Sequence, residues 1–168
     1  MLNISRTLTL LSLCTVALSN IVFALPDDRK QPIQISADTA ELNEQTGTAV
    51  YAGNVIMTQG SMQMKANKVE LVRKNDDIDS IIATGTPASF QQKPAANKPI
   101  TTAYGMKMVY KIKDQTITIT DKAKVVQEKD SFSGERIVYQ MDKAIVNAYG
   151  GNGSSGERVQ MIIQPKAK

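Results

Sequence analysis

The sequence predicts an all-β chain of many short antiparallel strands. Apolar and polar residues alternate with a period of two in successive runs, Gly, Pro, Asn and Asp separate the runs, and no stretch carries the period of an ordinary helix. Tyr51 to Leu71 shows the pattern in full. Gln59-Gly60 lies between two β-compatible runs, and a two-residue loop with Gly second suits a tight hairpin. Counting outward from that loop pairs Met57 with Met62 and Val55 with Met64, and gathers Val55, Met57, Met62, Met64 and Ala66 on one face. A slip of one residue would turn these side chains to water, so pattern and turn specify one register.

Taken from its start, the chain opens with an export signal. Residues 1–24 carry Arg6, an apolar run from Leu8 to about Val22, and Val22-Phe23-Ala24 as a small-x-small site, which predicts a secretory signal peptide cleaved after Ala24. A membrane-spanning helix fits less well, because Ser12, Thr15, Ser19 and Asn20 dilute the run and a span wants about 20 strongly apolar residues. Lipid attachment at Cys14 would want a small residue where Leu13 stands. Residues 25–168 are then expected to form a single domain.

Within that domain, Pro32 to Asp38 alternates and places Ile33, Ile35 and Ala37 on one side of a first strand. Ala40 and Leu42 continue on the opposite parity, which calls for a bulge or corner near Ala37-Asp38. Glu44 to Gly47 is a turn, and Gly53-Asn54 a bend before the hairpin. Arg73 to Asp77 turns again, and Gly85-Thr86-Pro87 separates Ile78 to Thr84 from Ala88-Ser89-Phe90. Gln91 to Pro99 is the longest polar loop. Thr101 to Lys113 then carries Met106, Met108, Tyr110 and Ile112 at period two, and Ile117 and Ile119 alternate with threonine. Asp121-Lys122 bends the chain towards Ala123 to Gln127. Ser131 to Met141 aligns Ile137 with Tyr139, Ala144 to Tyr149 returns, and Gly150 to Gly156 leads to a last strand that aligns Val159, Met161 and Ile163.

A weak internal repeat links these pieces. Ala66 to Leu71 echoes Ala37 to Leu42 after 29 positions, Gly134 to Tyr139 echoes Gly105 to Tyr110 after another 29, and Gly156 to Met161 follows the same form. Each copy has a small residue, a polar one and then apolar-x-apolar, as a chain does when it turns a corner and re-enters a sheet. Other copies are unevenly spaced, which favours stacked hairpins over a solenoid with fixed rungs.

Composition removes whole classes of chemistry. The chain has no histidine and no tryptophan, and its one cysteine, Cys14, would leave with the leader. Ser-His-Asp and Cys-His arrangements, disulfides and most zinc or iron sites go with them, so no metal and no cofactor is expected. A glycosidase would need two carboxylates about 5 to 9.5 Å apart across a cleft. Here Asp76, Asp77, Asp114 and Asp142 fall in turns, no GxxxxGK[ST] loop is present, and no catalytic residue is assigned: the chain reads as a non-enzyme. Loss of Arg6 leaves 19 basic against 16 acidic residues, a mild excess with the signs well mixed.

The inner face allows two readings. Aromatic residues make up 5% of the chain and methionine (8) outnumbers phenylalanine (3), so the interior consists of slender, adaptable side chains. They could fill an ordinary closed core. They could equally line a half-open apolar trough, with Ile33, Ile35, Val55 and Met57 from the early strands, Met62, Met64 and Phe90 from the middle, and Met108, Tyr110, Ile112, Ile137 and Tyr139 from the later ones. Periodicity does not separate these readings.

Several motifs carry a family resemblance. Pro32-Ile33-x-Ile35-x-Ala37-Asp38, Tyr51-x-Gly53-Asn54-Val55, Gln59-Gly60 and Ala66-Asn67-Lys68-Val69 stand in the order and spacing of the OstA-like (LptA) family of periplasmic lipopolysaccharide-export proteins, which the chain resembles. Gly85-x-Pro87-Ala88-x-Phe90, Met108-x-Tyr110 and Gly134-x-x-Ile137-x-Tyr139 extend the resemblance over nearly all of residues 25–168. It implies an open-ended twisted antiparallel β-jellyroll of about sixteen strands, V-shaped in section, whose apolar groove shields the acyl chains of lipopolysaccharide (lipid A) in the periplasm. Groove positions of the family fall on Ile33, Ile35, Phe90, Tyr110 and Ile112. Asn67 departs from the family's common Asp.

The same resemblance implies partners at the two ends: an LptC-like inner-membrane protein, an LptD-like outer-membrane protein, and further copies of the chain head to tail. Strand addition would use the terminal edges, with Ile33, Gln34 and Ile35 at one and Val159, Met161 and Ile163 at the other. Pro165, Lys166 and Lys168 would blunt the second edge against aggregation. A secreted structural or adhesive β-repeat protein, with a closed core and no lipid ligand, would share the repeats but not the trough.

Overall fold

The computed structural model describes residues 28–75, 77–95, 97–151, 156 and 158–165. The expected signal peptide, Cys14, Lys166 and Lys168 lie outside the described residues. A single turn of 3-10 helix, Asp28–Lys30, precedes ten strands: β1 (Gln34–Ser36), β2 (Thr39–Asn43), β3 (Thr48–Gln59), β4 (Met62–Lys74), β5 (Asp77–Gln92), β6 (Thr101–Lys111), β7 (Thr116–Gln127), β8 (Asp130–Gln140), β9 (Ile145–Tyr149) and β10 (Gln160–Ile162). They form one antiparallel sheet in the order β1-β3-β4-β5-β6-β7-β8-β10, with β2 also on β3 and β9 also on β8. The sheet does not close on itself. No α-helix occurs among the described residues.

The many short strands expected from the sequence are instead six long ones, β3 to β8, flanked by four short ones. Each long strand crosses a corner midway. The register shifts at Gly53-Asn54 in β3, at Ala66-Asn67 in β4, at Gly85 to Pro87 in β5, at Gly105-Met106 in β6 and at Asp121-Lys122 in β7. On β8 the partner changes across Gly134 and Glu135, from β10 to β9. Counting each long strand as two halves brings the ten strands to the sixteen that the resemblance implies. The corner residues were legible as breaks, but backbone pairing resumes directly beyond each of them. A bulge bends a ladder without ending it.

The corners divide the sheet into two walls of eight half-strands each. The first runs from β1 through Val55–Gln59, Met62–Ala66, Ala88–Gln92, Thr101–Tyr104, Ala123–Gln127 and Asp130–Gly134 to β10. The second runs from β2 through the remaining halves to β9. Alternate residues of both walls point inward and are buried in one common apolar cluster. Most of the outward alternates are polar, with Ile56, Ile82, Val109 and Val138 among the exceptions.

Local chemistry sets the corners and turns. At the β3 corner Gly53 and Asn54 take φ values of 78° and 45°, and Asn54 Nδ2 donates to Asp38 at 2.9 Å, tying this corner to the break between β1 and β2. In the β6 corner, a side chain on Gly105 would collide with Ile119 Cγ2 and approach the carbonyl oxygen of Thr120 to 3.1 Å, so the neighbouring strand closes over bare backbone.

The β3–β4 hairpin corrects the expected register by two positions. Its loop is Gly60-Ser61, so Met57 faces Met64 and Gln59 faces Met62. Gly60 has φ 58° and stands first in the loop, where a two-residue hairpin turn demands positive φ. Asp28 fixes the choice: its carboxylate accepts hydrogen bonds from Ser61 N at 2.6 Å, Ser61 Oγ at 2.7 Å and Gln92 Nε2 at 3.0 Å. The shift is even, so every methionine keeps the face expected of it.

Candidate lipid-binding layer

Cross-strand pairing arranges the inward side chains in rows that run from one edge of the sheet to the other. In the first wall one row is Ile35, Met57, Met64, Phe90, Ala103, Val125, Phe132 and Met161. The second wall has two. Leu42, Ala49, Leu71, Ile81, Tyr110, Ile117, Tyr139 and Val146 form one, and Ala40, Tyr51, Val69, Ala83, Met108, Ile119, Ile137 and Ala148 the other. All three are apolar throughout. Val55 lies beside the corner, while Met62, Ile33 and Ile112 lie towards the open rims.

All twelve residues expected to line the trough therefore share one layer, drawn from both walls. Their exposure varies along it. Val55, Met57, Met62, Met64, Phe90, Met108, Tyr110, Ile137 and Tyr139 are buried, and Ile33, Ile35 and Ile112 are partly buried. At the sheet ends the same rows reach water: Leu42 is 61% exposed and Met161 56%, against 0% for Met64 in mid-row. The trough expected to be half-open along its whole length is thus filled by its own side chains in the middle and unsealed at both ends. Ile81, Ile117, Ile119, Val69, Val125 and Phe132 belong to the layer and were not among the expected lining. The alternation of Thr116 to Thr120 already placed Ile117 and Ile119 on one face and was the signal for them.

Along the rim of the first wall, away from the corners, polar side chains point inward beside Ile33 and Met62. Gln59 and Thr101 are buried there, and Gln59 Nε2 donates to the backbone carbonyls of Arg29 (3.3 Å) and Gln31 (3.1 Å). The Oε1 atoms of Gln59 and Gln92 are buried without a hydrogen-bond partner among the described residues. Thr101 accepts a bond from Gln127 Nε2 at 3.3 Å, and the Tyr139 hydroxyl of the second wall meets it, a polar bridge between the walls. Burial pushes the Tyr139 phenol above its ordinary value of 10.0, and the bond to Thr101 partly offsets this. Beside this polar bridge a cavity of about 210 Å3 opens between the rims, lined by Asp28, Met62 and Gln92 on one side and Tyr110, Gln115 and Met141 on the other.

The sheet ends carry free edges. Among the described residues, β1 and β2 pair only with β3, and β9 and β10 only with β8, so each end offers strand backbone on one side. Gln34 is exposed beside Ile33 and Ile35, and Val159, Met161 and Ile163 are exposed at the opposite end. The chemistry of the site is that of an apolar surface. Among the described residues no cluster of His, Cys, Asp or Glu is placed to hold a metal ion, and no helix is long and apolar enough to cross a membrane.

Comparison with known proteins agrees with this architecture. A curated relative, the lipopolysaccharide export system protein LptH of Pseudomonas aeruginosa, is 45% identical over 97% of both chains. The LptA proteins of Haemophilus influenzae and Escherichia coli K12 are 34% and 29% identical, covering 93% and 89% of this chain and 91% and 80% of theirs. The crystal structure of LptH, described as the LptA homologous periplasmic component of the lipopolysaccharide transport device of P. aeruginosa, superposes with a TM-score of 0.77 at 40% identity, covering 83% of this chain and all of that one. The family model described as LptA/(LptD N-terminal domain) LPS transport protein matches residues 34–145, two-thirds of the sequence and every strand but the last in whole or part. The chain belongs to the LptA/LptD N-terminal-domain family of lipopolysaccharide transport proteins.

Proposed function

We propose that this protein is a periplasmic component of lipopolysaccharide export that covers the acyl chains of lipid A between its two walls. The observation that carries the reading is the set of three apolar rows that cross all eight half-strands and emerge at both ends. Each methylene removed from water contributes about 0.8 kcal/mol, so several acyl chains need cover throughout their passage. One tight pocket would trap them. A row of similar side chains exchanges one contact for the next, and methionine, with its rotatable bonds, suits such exchange.

The closed middle makes lipid entry a matter of parting the walls along their rims. Lipid replaces the side-chain packing that now fills the layer, and the rim cavity beside Met62 and Tyr110 marks where the two sides already stand apart. Family membership leaves the structural or adhesive reading without support. The chain is exported by the signal peptide at residues 1–24. LptC-like and LptD-like partners and further copies of the chain add to the free edges at its two ends, extending the rows from module to module.

Photo-crosslinking tests the lining. A photoreactive residue at Ile35, Phe90 or Tyr110 is expected to label with lipopolysaccharide, whereas one at Gln63, on the outer face of β4, is not. Equal labelling at inner and outer positions would remove the layer as the binding site.

A further inference from the structure

The outer face of the sheet sorts its charges by distance from the corners. On the second wall, the outward row next to the corner reads Lys68, Thr84, Lys107, Thr120, Arg136 and Tyr149 across β4 to β9. On the first wall the matching row reads Lys65, Ser89, Tyr104, Lys124 and Ser133 across β4 to β8. The next outward rows, Gln63-Gln91-Thr102-Val126-Ser131 and Glu70-Ile82-Val109-Thr118-Val138, contain no cation. From β3 to β8 the two flanking rows and the corner between them hold six cations, Lys122 included, against two carboxylates, Asp121 and Glu135.

We propose that this corner ridge is a binding site for a linear anionic glycan, a carboxylate-bearing polysaccharide laid lengthwise across the strands. Lys68, Lys107 and Arg136 stand two strands apart, so positive charge recurs roughly every 10 Å along the ridge. All five row cations are exposed, and among the described residues Lys65, Lys107 and Lys124 have no carboxylate at ion-pair distance, while Lys68 has Glu70 at 3.6 Å. Hydroxyls of Thr84, Thr120, Ser89 and Ser133 alternate with the charges. Two phenol rings complete the set: Tyr104 is 38% exposed and Tyr149 44%, the latter with the Arg136 guanidinium 4.0 Å from its ring centre. Two surface hollows lie on the ridge: one of about 530 Å3 against Lys107, Thr120, Arg136 and Tyr149, where the two carboxylates of the ridge, Asp121 and Glu135, also stand, and one of about 180 Å3 against Lys65, Ser89 and Tyr104, with no carboxylate in its lining.

Charge, hydroxyl and exposed ring in a narrow track match a sugar chain better than a flat anionic bilayer, which would reward cations spread over a whole face. The ridge also lies on the opposite side from the rims where the cavity reaches the apolar layer, so it is separate from the sugars of a lipid held between the walls. A module fixed in this way to an extended glycan would be held in place while its interior stayed free.

Binding of polygalacturonate, measured by calorimetry at low and high salt, tests the site, with neutral dextran and phosphatidylglycerol vesicles as comparison ligands. Polygalacturonate is expected to bind and weaken with salt, and dextran to give no signal. Combined Lys65→Gln, Lys107→Gln and Lys124→Gln should cost on the order of tenfold in affinity. Tyr104→Ala should cost severalfold with an unchanged salt slope. Lys111→Gln, whose lysine is outward but outside the two rows and pairs with Asp79 at 2.8 Å, should cost nothing. All these positions are exposed, and thermal melts verify folding. Absence of polygalacturonate binding, an equal loss in Lys111→Gln, or stronger binding to the vesicles would each overturn the proposal.

Discussion

Tyr139 is buried in the apolar layer of the second wall, yet its hydroxyl crosses to Thr101 of the first. Tyr139→Phe keeps the ring and removes the hydroxyl that meets Thr101, while Thr101 retains Gln127, so the expected cost is at most about 1 kcal/mol in a denaturant melt. The pH dependence has a definite sign. The folded phenol ionises later than the unfolded one, so its contribution is intact below pH 10.0 and is lost as pH rises from there through the folded value. Wild type should therefore lose stability more steeply than Tyr139→Phe in that alkaline window, and parallel curves would mean that burial does not hold the folded phenol above its ordinary value. A second residue-scale contrast uses one row. Met64→Ala, in its buried middle, should cost about 2–5 kcal/mol, whereas Met161→Ala, at its exposed end, should stay within about 0.5 kcal/mol. Equal costs, read from urea melts, would mean that the row is not graded from middle to end.

At the scale of the element, corners decide more than strands do. Gly105→Ala sets a methyl group against Ile119 and should destabilise by about 1–3 kcal/mol, with faster amide exchange on the adjoining half of β7. An unchanged melt would show that the β6–β7 corner has slack. Asp28→Asn weakens three hydrogen bonds that hold the 3-10 turn to the hairpin and to β5, and should raise exchange at Ser61 before it affects the distant β7–β8 ladder. These elements also show what the sequence could and could not reveal. The corners of β3, β5 and β7 were legible, because Gly53-Asn54, Gly85 to Pro87 and Asp121-Lys122 break the alternation, whereas those of β4 and β6 were marked only by the small residues of the repeat, Ala66 and Gly105. That pairing continues beyond each corner was not legible, since a break in pattern looks the same whether the ladder ends or bends. The hairpin loop was misplaced by one residue because Asp28, which caps Ser61, is distant in sequence. The lining was legible by parity alone, and parity carries no information on whether the facing wall closes over it.

For the whole molecule, edges and layer are parts of one design: the rows stay dry in the middle and meet water only where the sheet ends. Head-to-tail association would bury both the free strand edges and the exposed row ends. Deleting residues 158–168 removes β10 and should weaken self-association, seen as a reduced concentration dependence in light scattering, while lipid binding is largely kept. An unchanged dependence would assign association to another surface. Three apolar rows facing across a gap serve a lipid only if the two walls can part.

Tethering the walls tests that requirement most directly. In a chain carrying Cys14→Ser, cysteines at Thr101 and Tyr139 joined by a short bis-maleimide span the gap, and cysteines at Gln63 and Gln91, paired on the outer face of one wall, serve as the control. The cross-wall tether is expected to abolish the lipopolysaccharide binding that the same variant shows before tethering, whereas the control tether should leave the binding of its own variant unchanged. Undiminished binding by the cross-wall tethered protein would place the lipid somewhere other than between the walls.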